Sequence, residues 1–96
     1  MMILITYDIN ITKTAGQRRL RRVAKKCEDY GIRVQNSVFE CVVDATQYGK
    51  LKHDLLEIID MKTDSLRIYR LGEKYDTKVE HFGAKDTLRV EDTLIL

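Results

Sequence analysis

The sequence predicts a single α+β domain in which four strands and two helices follow one another as β-α-β-β-α-β. Three observations carry this. A continuous apolar run at residues 2–8 stops on Asp8. Apolar residues recur with helical spacing in two segments, near 14–29 and 46–60. Segments rich in β-branched and aromatic residues at 32–43 and 65–71 occupy the remaining intervals.

In the first strand Ile3, Ile5 and Tyr7 share one face, and Met2, Leu4, Thr6 and Asp8 share the other. Both faces are largely apolar, so a central strand covered on both sides is expected. Thr14 and Gln17 have the spacing of a capping box and open the first helix. Its stripe is Leu20, Val23, Ala24 and Cys27, and Gly31 is the expected C-cap. The β-rich stretch 32–43 is divided by Gln35-Asn36-Ser37 into two strands or a bent hairpin. Asp44 and Gln47 form a second capping box, and Tyr48, Leu51, Leu55, Ile58 and Ile59 give the second helix its stripe. Leu66 and Ile68 then alternate with Arg67 and Tyr69 in the fourth strand, which Gly72 ends.

This order is the ferredoxin-like one: an antiparallel four-stranded sheet with both helices on one face. Residues 1–78 complete it. Residues 79–96 add two apolar pieces, Val79–Phe82 and Thr93–Leu96, to a sheet whose second face still needs a cover. The economical expectation is a homodimer with sheets face to face, the C-terminal segment exchanged as an extra strand.

At 96 residues the chain is one small domain. No apolar run approaches the roughly 18 residues of a membrane span, and the N-terminus lacks the basic region of a signal peptide. A cytoplasmic protein is expected. Cys27 and Cys41 are too few and too far apart for a zinc motif and fall on apolar faces, so they read as buried free thiols.

Charge is unevenly placed. The chain carries a net +2, but residues 13–33 hold eight Lys or Arg against two acids. Six basic residues fall between Arg18 and Lys26 with no acid among them. Like charges at i,i+4 cost helix stability. Such a run reads either as a solvated helix balanced by acids elsewhere or as a polyanion-binding face built from Arg18, Arg19, Arg22, Lys25 and Lys26, which Arg33 could extend.

Asp8 has two readings. It can simply begin a polar turn with Asn10. It can also be a carboxylate held on a rigid strand, where one Asp is a poor Mg²⁺ site but two related by a dimer axis make a reasonable one. Tyr7 and Phe39 read as core, or as stacking surfaces for a base. His53 and His81 form no ligand pair, Ser37 has no recognisable His-Asp partners, and no glycine-rich phosphate loop is present.

The stretches "ILITYDI", "RRLRRVAKKCEDYGIRVQNSVFEC" and "DSLRIYRLG", in that order and spacing, resemble the CRISPR-associated protein 2 family. The tail "TKVEHFGAK…EDTLIL" resembles the C-terminal swap segment of its subtype I-C members. The resemblance implies a ferredoxin-like homodimer and a Mg²⁺- or Mn²⁺-dependent endonuclease acting on double-stranded DNA, RNA or both. It implies Asp8 as metal-binding aspartate, with Tyr7, Arg33, Ser37 and Phe39 as site residues, and maps less cleanly onto Arg18 and Arg19. It also implies a second role, bridging dimers of the CRISPR integrase (CRISPR-associated protein 1) on a DNA duplex. A nuclease resting on Asp8 and a non-catalytic DNA-binding scaffold resting on the basic helix and the apolar tail both fit. A ferredoxin-like toxin ribonuclease akin to virulence-associated protein D would share the fold without an integrase partner.

Overall fold

The computed structural model describes residues 1–83. Its elements are β1 (Met2–Asp8), α1 (Thr14–Glu28), β2 (Gly31–Gln35), β3 (Val38–Val42), α2 (Ala45–Ile58) and β4 (Ser65–Gly72). The sheet order is β2-β3-β1-β4, and every neighbouring pair is antiparallel. This is the expected ferredoxin-like arrangement. The apolar β1 lies inside the sheet, pairing Ile5 with Phe39 of β3 and Ile68 of β4.

The core forms between the helices and one sheet face. Ile3, Ile5, Phe39 and Cys41 from the sheet meet Val23 and Cys27 of α1 and Leu51 and Leu55 of α2, all fully buried. Cys27 and Cys41 are free and buried as expected, and burial pushes each thiol up to about 12.

Two caps differ from expectation. Thr14 is the first residue of α1, not its cap. Lys13 holds the N-cap position and its side chain makes no capping bond. Nor does Gly31 cap the helix: α1 ends at Glu28 with Asp29 as its C-cap, and Gly31 starts β2. A Cβ on Gly31 would run into the Glu40 carbonyl and lie 2.8 Å from Cys41 Cα, so glycine is there for the close approach of β2 to β3. At α2 the expected box forms in full. Asp44 accepts from the Gln47 amide at 2.7 Å and Gln47 accepts from the Asp44 amide at 2.9 Å.

The second sheet face is partly covered by the chain itself. Beyond β4, Tyr75 folds back and is buried against Met2, with Ile32, Val42 and Leu71 around it. Lys78 Nζ donates to the Leu71 carbonyl at 2.7 Å and holds this return. Leu4, Val38 and Glu40 remain half-buried and Tyr69 exposed on the same face. Val79–Phe82, expected as a strand, has no regular secondary structure, and Val79 and Phe82 are exposed. The strand expected at Thr93–Leu96 and most of the 79–96 segment lie outside the described residues.

Candidate functional site

Asp8 is the last residue of β1, paired with Ser65, the first residue of β4. Alternation along the strand puts it on the face away from the helices, with Thr6 one pair below. It is exposed, and among the described residues no hydrogen bond or ion pair engages its carboxylate. The Tyr7 amide donates to the Ser37 carbonyl at 3.1 Å. The β2–β3 turn therefore lies beside the end of β1, and Ser37, Asp8 and Ser65 gather at one end of the sheet.

Tyr7, Phe39 and Arg33 lie on the other face. Tyr7 and Phe39 are buried under the helices and stack on each other, ring centroids 6.3 Å apart and 22° from parallel. That contact and their burial leave no ring face open for a base to stack on. Burial raises the Tyr7 phenol above its usual value, with the Arg33 charge pulling it back, so the hydroxyl keeps its proton at neutral pH. Arg33 lies over the Phe39 ring at 5.2 Å and pairs with Glu28 at 3.7 Å. The strand pleat thus separates Asp8 from three residues that the family resemblance groups with it.

The basic helix also divides. Arg19 does not face solvent as a free cation. Its Nε lies 2.7 Å from Asp64 Oδ2, with the Arg19 side chain 19% exposed and the Asp64 side chain fully covered. Lys26 lies between Asp29 at 3.9 Å and Asp54 at 3.6 Å, an acid-balanced position. Arg18, Arg22 and Lys25, joined by Arg21, lie exposed together along α1 with no acid paired to them among the described residues. Their spacing, i, i+3, i+4 and i+7, makes one stripe. Arg21 belongs to it on spacing alone. Asp64 could not be found that way, because its partner lies 45 residues distant in sequence.

Metal binding fits the chain only in part. Among the described residues no three His, Cys, Asp or Glu side chains come together as a metal cluster. The uncommitted Asp8 carboxylate and the neighbouring Ser65 and Thr6 hydroxyls are oxygen donors of the kind a hard divalent cation takes. One carboxylate is too little for such a cation, and a second copy of the chain would have to supply another.

The fold is that of a small ferredoxin-like domain with an uncommitted acid ending an inner strand and a cationic stripe on its first helix. The chain belongs to the family described as CRISPR associated protein Cas2, whose model matches residues 1–79. It is 59% identical over 95 residues to the CRISPR-associated endonuclease Cas2 of Halalkalibacterium halodurans, covering 99% of each chain. It is 56% identical over 96 residues to the CRISPR-associated endoribonuclease Cas2 of Nitratidesulfovibrio vulgaris, covering all of this chain and 94% of that protein. The crystal structure of Streptococcus pyogenes Cas2 at pH 6.5 matches with a TM-score of 0.76 at 55% identity, covering 86% of this chain and all of that one. Its role is that of a CRISPR Cas2 protein.

Proposed function

We propose that the protein works in CRISPR spacer acquisition as a homodimeric, metal-dependent endonuclease that hydrolyses phosphodiester bonds of double-stranded DNA, single-stranded RNA or both. The single observation carrying this is Asp8: an exposed carboxylate, without a protein partner among the described residues, at the end of an inner strand of the sheet. A strand paired on both sides is a rigid mount, and a carboxylate left without a partner there is available to a ligand. Asp8 and its copy across the dimer axis would hold Mg²⁺ or Mn²⁺. The bound cation supplies Lewis-acid stabilisation of charge on the phosphoryl oxygens and lowers the pKa of water. The two relatives named as an endonuclease and an endoribonuclease support the reaction class and leave both substrates in play. A half-buried apolar strip at Leu4 and Val38 supports the dimer, and the cytoplasm is where such a protein would meet the CRISPR integrase.

A second reading, a non-catalytic scaffold that bridges integrase dimers on DNA, is favoured by a different observation. The stripe of Arg18, Arg21, Arg22 and Lys25 lies in the helix layer, and Asp8 belongs to the opposite sheet face. Phosphates bound along α1 are thus not directed at Asp8 within one chain.

Wild type and Asp8→Asn are compared on labelled duplex DNA and single-stranded RNA, with Mg²⁺ or EDTA, and with mass by light scattering. Metal-dependent cleavage lost in a variant that keeps its dimer supports the nuclease. Equal cleavage by both proteins, or none by either, leaves the scaffold.

A further inference from the structure

The Asp64 carboxylate accepts five hydrogen bonds. Its Oδ2 accepts from Arg19 Nε at 2.7 Å and from the Asp60 amide at 2.8 Å. Its Oδ1 accepts from the Asn10 amide at 3.0 Å, and from Arg19 Nη2 and Thr63 Oγ1, each at 3.3 Å. Arg19 Nη2 also reaches the Asn10 carbonyl at 3.5 Å. One covered carboxylate therefore ties together the loop after β1, the second turn of α1 and the turn before β4.

Those segments adjoin the Asp8–Ser65 pair along the chain. Asn10 lies two residues beyond Asp8. Asp64 directly precedes Ser65, the residue paired with Asp8 across the sheet. The first turn of α1 presses on the same loop, since a Cβ on Gly16 would run into the Asn10 carbonyl. A strand end frays when the chain leaving it is free, and here both chains leaving the Asp8–Ser65 pair are held by the same ion pair.

We infer that Arg19 and Asp64 are a positioning pair for Asp8, fixing the end of β1 so that its carboxylate is presented in one place, and that Arg19 is not a phosphate contact. The inference rests on the catalytic reading of Asp8. It makes Arg19 matter to the reaction through Asp64 and Asn10, without touching nucleic acid. Displacing a reacting group by about 1 Å can cost on the order of 100-fold in rate, so breaking the pair acts on turnover.

The test uses the full chain with Asp64→Asn, Arg19→Gln and Arg19→Lys, each confirmed folded by circular dichroism. It reads kcat and KM on labelled duplex and single-stranded RNA, Mn²⁺ affinity by calorimetry, and the salt dependence of nucleic-acid binding. Expected for Asp64→Asn and Arg19→Gln is a fall in kcat of about 10- to 100-fold, weaker Mn²⁺ binding, and KM and salt slope as in wild type. Arg19→Lys, which keeps the charge and loses the two-pronged bond, falls less than Arg19→Gln. A KM effect with unchanged kcat, and a salt slope lowered by about 0.9 in Arg19→Gln, would make Arg19 a phosphate contact and overturn the inference. So would wild-type kcat and Mn²⁺ affinity in folded Asp64→Asn. If that variant does not fold, Arg19→Gln and Arg19→Lys decide the matter. A wild type that neither cleaves nor binds Mn²⁺ removes the catalytic reading of Asp8 and the positioning pair with it. Active wild type with unaffected variants removes the pair alone.

Discussion

The Arg33 guanidinium lies 5.2 Å from the centroid of the Phe39 ring, on the face of the sheet opposite Asp8. The ring is fully buried, with Tyr7 stacked against it. Phe39 is therefore a core residue that also seats a cation. Phe39→Ala is expected to cost about 3–5 kcal/mol, as for other buried aromatic truncations. Arg33→Gln is expected to cost about 0.5–1 kcal/mol, the worth of an exposed cation–π contact. Urea unfolding checks both. Any cleavage lost in Phe39→Ala should follow its unfolded fraction, and loss of activity in a fully folded sample would contradict this.

The α1 stripe makes a prediction about salt. Each phosphate contact removed lowers the slope of log K against log salt by about 0.9 for duplex DNA. Arg18→Gln, Arg22→Gln and Lys25→Gln together should lower it by about 2–3. Lys26→Gln should leave the slope near that of wild type, because Asp29 and Asp54 already flank that ammonium. Fluorescence anisotropy across a salt series gives both slopes, and equal effects from the two variants would refute the division of the helix.

Acid stability has a defined sign at Asp64. The Arg19 guanidinium foremost, with the Asp60 and Asn10 amides, holds its carboxyl at about 2 against the opposing push of burial. A lowered folded pKa contributes stability that is complete above the ordinary value of 3.8 and is lost as pH falls through about 2. The stability gap between wild type and Asp64→Asn should be constant near neutrality and narrow below pH 3.8. Denaturant unfolding at a series of pH values measures it, and a gap that widens on acidification would have the wrong sign.

Gly31 and the thiols test the packing of β2 and β3. Gly31→Ala should destabilise by about 2–3 kcal/mol, at the upper end of ordinary substitutions, because its Cβ meets strand backbone that cannot move aside. Cys27 and Cys41, pushed up to about 12, should resist iodoacetamide in the folded protein and react on unfolding. Mass spectrometry of labelled samples reads this directly. Rapid labelling under native conditions would mean the core opens far more readily than its packing implies.

Local pattern was enough for much of this protein. The strand at residues 2–8, the two helical stripes, the Asp44–Gln47 cap and the hairpin break near Asn36 each depend on residues within a few positions of one another. Their order alone selected the sheet topology and placed Asp8 at a strand end. Short-range spacing likewise marked α1 as a cationic helix. What local pattern could not assign was the partner of each charge. Arg19 and Arg18 are adjacent and chemically identical in sequence, yet folding carries Asp64 to one and leaves the other exposed on the stripe. Gly31 looked like a helix cap because its real constraint, the Glu40 carbonyl, arrives from the next strand. Tyr75 gave no signal because the surface it covers is assembled from β1, β2, β3 and β4. Burial and ion pairing are properties of long-range contacts, so only the tertiary structure decided which cations remain free, which aromatics face inward, and how the end of β1 that bears Asp8 is held.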